Sequence, residues 1–109
     1  MNREELIKEV HKLITENIAE RYTIEDLSRR FLINTSSLKE GFKEIYGKPI
    51  ATYMKEYRMK RAEELLLETE DSMAVIAESV GYESQGKFTA AFREHSGMLP
   101  REYRKKAKD

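Results

Sequence analysis

The sequence predicts an all-α protein of seven helices, in which two similar helix pairs flank one long joining helix. Three observations predict it. Leu38, Phe42, Glu44, Gly47 and Tyr53 recur as Phe88, Phe92, Glu94, Gly97 and Tyr103 at an offset of 50, and Thr23, Ile24, Leu27, Ser28 and Phe31 recur as Ser72, Met73, Ile76, Ala77 and Val80 at an offset of 49. The step from 49 to 50 puts one extra residue in the second copy, which marks a turn between the helices of each pair. Apolar residues recur at helical spacing. The composition, 37% charged with two prolines, five glycines and no cysteine, favours helices.

From about Arg3 to Ile18, the apolar residues Leu6, Ile7, Val10, Leu13, Ile14 and Ile18 form one stripe of an amphipathic helix. Thr23, with Asp26 three residues on, forms an approximate capping box that starts a second helix running to about Phe31. Asn34 is the N-cap of a third, which carries Leu38, Phe42 and Ile45 inward and stops at Gly47. Pro49 opens a fourth through Tyr53, Met54, Tyr57, Ala62, Leu65 and Leu66 to about Glu68, spanning about 30 Å. Ser72 caps a fifth, Met73 to Val80, ended by Gly81. Ser84 caps a sixth, with Phe88, Ala91 and Phe92 inward, until Gly97. Pro100 opens a seventh through Tyr103 into the basic tail.

A chain of 109 residues has room for a modest core and no large substrate cavity. Without cysteine there is neither a disulfide framework nor a thiolate metal site. No signal-peptide core and no stretch of about 20 apolar residues is present, so a soluble, cytoplasmic protein without a membrane partner is expected. The net charge is zero. Its distribution is uneven: residues 63–83 hold seven acids and no base, residues 49–62 are net +3, and residues 84–109 are net +4 with seven bases and three acids.

Two helices joined by a short turn form the unit that lays a recognition helix in a DNA major groove, and major-groove faces on one side of B-DNA recur every ~34 Å. The residues carry a family resemblance. Arg58 to Leu66 read R-x-x-x-A-x-x-L-L, Ile76 to Tyr82 read I-A-E-x-V-G-Y, and Ser84, Phe88, Phe92, Gly97, Pro100 and Tyr103 follow; TIEDLSRRF and LKEGFKEIYG fit the first half. The chain resembles, over nearly its whole length, the C-terminal DNA-binding domain of AraC/XylS-type bacterial transcription regulators. The resemblance implies a seven-helix bilobal domain with two helix-turn-helix motifs, whose third and sixth helices enter consecutive major-groove segments of double-stranded DNA. The expected organisation is a first subdomain at 1–48, a linker helix at 49–68 and a second subdomain at 69–109.

Exposed positions on the recognition helices are the candidates for DNA contact: Thr35, Ser36, Lys39, Glu40 and Lys43, then Gln85, Gly86, Lys87, Thr89, Ala90 and Arg93, with Arg101 beyond. Gln85 suits a bidentate pair with adenine, Lys39 or Lys87 suits guanine acceptors or phosphate, and Lys43, Arg93 and Arg101 suit phosphate. The helix starts after Thr23 and Ser72 offer backbone amides to phosphate. Two positions depart from the family. Glu40 and Ala90 stand where many members carry a base-reading arginine, so the first lobe is expected to bind less tightly than the second.

Other features have plainer readings. Gly41 is read as allowing close helix packing, because its repeat partner is the small Ala91, and Gly86 stays open between packing and approach to DNA. His11 and His95 have no second ligand at metal spacing. The serines lack a nucleophile's partners. The methionines are read as core or buried edge, and the acidic run as a solvated face or a patch for RNA polymerase. No enzyme, cofactor or metal site is expected, and the domain is expected to be monomeric. No ligand-binding or receiver domain is visible, which leaves a free-standing regulator or the C-terminal part of a longer one. The function expected is a sequence-specific regulator, an activator working through RNA polymerase, on an asymmetric site. The alternative is a helical protein-interaction module with weak or lost DNA affinity, motivated by the zero net charge, Glu40 and Ala90.

Overall fold

The computed structural model describes residues 1–108; Asp109, the last residue of the expected 69–109 segment, lies outside the described residues. Seven helices follow one another among them: α1 (Arg3–Glu16), α2 (Ile24–Phe31), α3 (Thr35–Tyr46), α4 (Ile50–Glu68), α5 (Met73–Ser79), α6 (Gln85–Ser96) and α7 (Pro100–Lys108). The expected all-α class and helix order are both found. Two compact units form, Met1–Lys55 and one beginning at Glu56, and the division falls inside α4.

The helices start where short polar side chains can take up first-turn amides. Thr23 Oγ1 accepts from the Asp26 amide at 3.0 Å and the Asp26 carboxylate accepts from the Thr23 amide at 3.0 Å, a complete capping box. These bonds, led by that from the Thr23 backbone, hold the Asp26 carboxyl below the usual carboxylate range. Asn34 accepts from the Ser37 amide at 2.8 Å, Ser72 from Val75 at 3.2 Å and Ser84 from Lys87 at 3.1 Å. Asn2 caps α1 in the same way. At the other ends, Gly47 (φ +81°) and Gly97 (φ +77°) adopt the left-handed conformation that a helix stop of this kind requires.

In the first unit Ile7, Val10, Ile14, Leu27, Leu38, Phe42 and Met54 form the core. In the second, Met59, Ala62, Leu66, Ile76, Ala77, Val80, Phe88, Ala91 and Phe92 do so. Ile7, Val10 and Ile14 answer Met59, Ala62 and Leu66 at an offset of 52, so the repeat includes one more helix upstream. In each unit that extra helix supplies one wall of the core behind the helix pair. Burial of each large side chain here contributes roughly 1.5–3 kcal/mol.

Several details differ from the sequence reading. α1 ends at Glu16, and the Asn17 side chain caps it by donating to the Leu13 carbonyl at 2.9 Å. α5 ends at Ser79, one residue early. Ile45 does not point inward but is 36% exposed. The buried stripe of α3 runs through Leu38, Gly41 and Phe42 and continues to Tyr46, whose ring stacks on His11 and leaves Ile45 on the flank. Tyr57 is 36% exposed, and Met1, 78% exposed, is neither core nor edge.

The basic tail is also more than a run of charge. The Arg104 guanidinium donates to the carbonyls of Leu66 at 3.0 Å, Asp71 at 2.8 Å and Thr69 at 3.2 Å, satisfying groups at the α4–α5 turn. Lys108 bonds Glu70 at 2.9 Å, and that bond is the first cause holding the Glu70 carboxyl low. Part of the acidic run is therefore engaged within the second unit.

Candidate nucleic-acid interface

α3 and α6 each bury one face and leave the other bare. Leu38, Gly41 and Phe42 face the first core; Phe88, Ala91 and Phe92 face the second. On the opposite side of α3, Ser36, Lys39, Glu40 and Lys43 are exposed, and on α6 Gln85, Gly86, Lys87, Ala90 and Arg93 are exposed. Arg101, on the first turn of α7, is exposed too. Thr35 and Thr89 were expected to be exposed and are half-buried. Thr35 opens α3 directly behind the Asn34 cap, and Thr89 lies beside the buried Phe88 on α6.

What sets these faces is the turn before each helix. In the first unit the Ile33 amide reaches back to the Ser28 carbonyl at 3.1 Å, and in the second Tyr82 reaches Ala77 at 2.9 Å, positions related by the offset of 49. Both bonds span five residues, the closing bond of a Schellman turn. The Ser28 hydroxyl also donates to the Ile33 carbonyl. The left-handed residue differs. Gly81 (φ +88°) serves in the second turn, whereas Leu32 (φ +53°) serves in the first and is 91% exposed.

Gly41 has a packing reason. A Cβ there would stand 2.9 Å from both Ile7 Cγ1 and Arg3 Nε, so α1 lies against α3 at this point. Arg3 then continues to Glu44 at 2.7 Å. At Gly86 a Cβ would meet nothing within 4 Å, so packing does not require a glycine there.

The structure gathers some candidates and separates others. Gln85, Thr89 and Arg101 line one groove of about 330 Å³ in the second unit. Lys39 and Lys43 line another, of about 310 Å³, in the first. Gly86, Lys87 and Ala90 line neither groove. The start of α2 is a poorer phosphate site than its sequence suggests, because Thr23 and Asp26 already hold two of its amides and the Asp26 carboxylate sits among them. No group of three or more His, Cys, Asp or Glu residues placed to hold a metal ion occurs among the described residues. No helix among the described residues is long and apolar enough to cross a membrane.

Comparison with known proteins supplies the family. A model described as a helix-turn-helix domain matches residues 27–106. The chain is 34% identical over 103 residues to an uncharacterized HTH-type transcriptional regulator, YisR of Bacillus subtilis, covering 94% of this chain and 36% of that protein. It thus spans about a third of the length of curated relatives it matches. The C-terminal domain of AraT, a response regulator from Geobacillus stearothermophilus, superposes with a TM-score of 0.87 at 28% identity, over 93% of this chain and 84% of that one. A transcriptional regulator of Chromobacterium violaceum, from the AraC-type DNA-binding domain-containing proteins, gives a TM-score of 0.81 at 28% identity, over 94% and 92%.

Proposed function

The chain belongs to the AraC-type helix-turn-helix family, and we propose that it is the sequence-specific DNA reader of a transcription regulator, with no enzymatic role. One observation carries the reading: each unit holds the second helix of its pair on a capped start, a Schellman turn and a buried face that includes phenylalanine, and leaves bare a mostly polar face with two cations. That is how a helix is presented to a major groove.

In this reading Ser36, Lys39, Glu40 and Lys43, with the half-buried Thr35, meet one groove segment. Gln85, Gly86, Lys87, Ala90 and Arg93, with Thr89 and Arg101, meet the next. Gln85 pairs with adenine, Lys39 and Lys87 with guanine or phosphate, and Lys43, Arg93 and Arg101 with phosphate. Residues 1–48 and 69–109 act as two reading subdomains and 49–68 as their linker. Lys39 and Glu40 in one helix answer Thr89 and Ala90 in the other, so the site is asymmetric. The domain acts as a cytoplasmic monomer on double-stranded DNA and activates through RNA polymerase, the outcome its family resemblance favours.

Glu40 and Ala90 favour a second reading, a protein-interaction module that has lost useful DNA affinity. Titrating a random-sequence duplex against salt separates the two. A DNA reader loses affinity steeply as salt rises. Absence of binding at low salt would leave only the interaction module.

A further inference from the structure

Each unit carries a shallow apolar groove beside its bare helix, and the two grooves are built from equivalent positions. In the first, Ile24, Pro49, Ile50 and Ala51 form the walls and Lys39 and Lys43 the rim. In the second, Met73, Leu99, Pro100 and Arg101 form the walls, with Gln85, Thr89 and Glu102 beside them. Ile24 answers Met73 at the offset of 49, and Lys39, Pro49, Ile50 and Ala51 answer Thr89, Leu99, Pro100 and Arg101 at the offset of 50. Different side chains thus build the same concavity twice. A chance dimple in a surface would not recur in that way.

The chemistry of the walls indicates the occupant. Much of each lining is apolar, and each includes at least one cation. In the first unit the cations are Lys39 and Lys43 on α3; in the second it is Arg101 on the first turn of α7, beside Glu102, whose carboxylate accepts from the Leu99 amide at 2.9 Å. An apolar lining that includes a cation complements a deoxyribose carrying its phosphate. The C–H face of the sugar packs on the apolar part, and the phosphate oxygens take the ammonium or guanidinium. A helix lying in a major groove has sugar–phosphate backbone along its flanks. Each groove borders the bare face of α3 or α6.

We propose that each groove seats one deoxyribose–phosphate unit of the strand bordering the major groove that its helix occupies, which rests on the DNA reading above. The two seats hold their phosphate from different helices. The first draws on the recognition helix, the second on the helix that follows. Where the second seat has Arg101, the first has Ala51, and so lacks a cation on that wall.

Ala51 is exposed on the first turn of α4, outside both cores, so it can be changed without repacking. Ala51→Arg should steepen the slope of log K against log salt on duplex DNA by about 0.9, and Arg101→Ala should flatten it by about 0.9. Ethylation interference on a selected site should gain one phosphate in the first variant and lose one in the second. Ala51→Glu should weaken binding with unchanged thermal unfolding. If the wild-type protein binds duplex and all three variants keep its slope and ethylation pattern, the seats are refuted while the DNA reading stands. If the wild-type protein binds no duplex at low salt, the DNA reading falls and takes the seats with it.

Discussion

His11 Nε2 stands 2.8 Å from the Tyr53 hydroxyl. The same imidazole stacks on Tyr46 at 4.2 Å with the rings 10° apart, so one side chain of α1 holds both the last turn of α3 and the start of α4. Glu63 occupies the matching place in the second unit, at an offset of 52 from His11. It accepts from Ser96 Oγ at 3.4 Å and lies 3.7 Å from His95 Nε2. Ser96 answers Tyr46, and Tyr103 answers Tyr53, both at an offset of 50. Each unit fastens the end of its bare helix at the same point with different chemistry. Burial raises the Tyr46 and Tyr103 hydroxyls; Tyr53 adds to the first and Glu63 to the second.

Burial also lowers the His11 pKa, so the folded unit favours the neutral ring. A histidine with a depressed folded pKa contributes stability that is present above its unfolded value and lost as pH falls below it, because the unfolded chain takes the proton first. The first unit should therefore lose stability on going from about pH 7 to pH 5. His11→Phe keeps a ring beside Tyr46 and removes the titration. It should start about 1 kcal/mol less stable for want of the Tyr53 bond, but fall less with pH. Thermal midpoints across that range check this; parallel curves for the two proteins would refute it.

The two helical glycines should respond in opposite directions to alanine. Gly41→Ala drives a methyl into Ile7 and Arg3 and should cost about 1–3 kcal/mol. Gly86→Ala meets open space in a first turn and should stabilise by a few tenths of a kcal/mol, up to about 1. Urea unfolding of both variants measures the difference, and a stabilising Gly41→Ala would contradict the close approach of α1 to α3.

Leu32 carries the left-handed backbone that Gly81 carries in the second turn. A non-glycine residue there costs roughly 1–2 kcal/mol, partly offset for glycine by its greater freedom in the unfolded chain. Leu32→Gly should stabilise by about 0.5–1 kcal/mol, while the β-branched Leu32→Val should destabilise. The side chain is 91% exposed, so lost packing does not blur the comparison. The same sign for both substitutions in denaturant midpoints would rule out the strained turn.

Within the DNA reading, Gln85 and Arg93 should fail differently. Gln85→Ala should relax preference at one base position and cost about 1–3 kcal/mol on the preferred site. Arg93→Ala should weaken all sequences alike and flatten the salt slope by about 1. Site selection from a random duplex pool, followed by salt titration, reads both. Uniform losses for both variants would overturn the division of roles.

Much of this fold is written locally. Thr23, Asn34, Ser72 and Ser84 mark helix starts because a short polar side chain reaches amides two or three residues on, and Gly47 and Gly97 mark stops because the left-handed turn suits glycine. The bare faces of α3 and α6 follow from helical spacing in the same way. Contacts between distant segments are not legible like this. Nothing near Arg104 in sequence announces the carbonyls of Leu66, Thr69 and Asp71, and the outward turn of Ile45 depends on where His11 places Tyr46. Two signals were within reach. Gly81, carried back by 49 residues, marks Leu32 as left-handed, and Ile7, Val10 and Ile14, carried forward by 52, mark α1 as part of the repeat.

Arg104 also gives the end of the chain a structural part to play. Four cations, Arg104, Lys105, Lys106 and Lys108, give the last stretch its positive character on paper. One is clamped on neutral main-chain oxygens, another, Lys108, faces the Glu70 carboxylate at the surface, and Lys105 and Lys106 are exposed. The C-terminus behaves as a buckle before it behaves as a polycation. Removing it would first release the α4–α5 turn, because Arg104 keeps its positive charge while its guanidinium holds the carbonyls of that turn together.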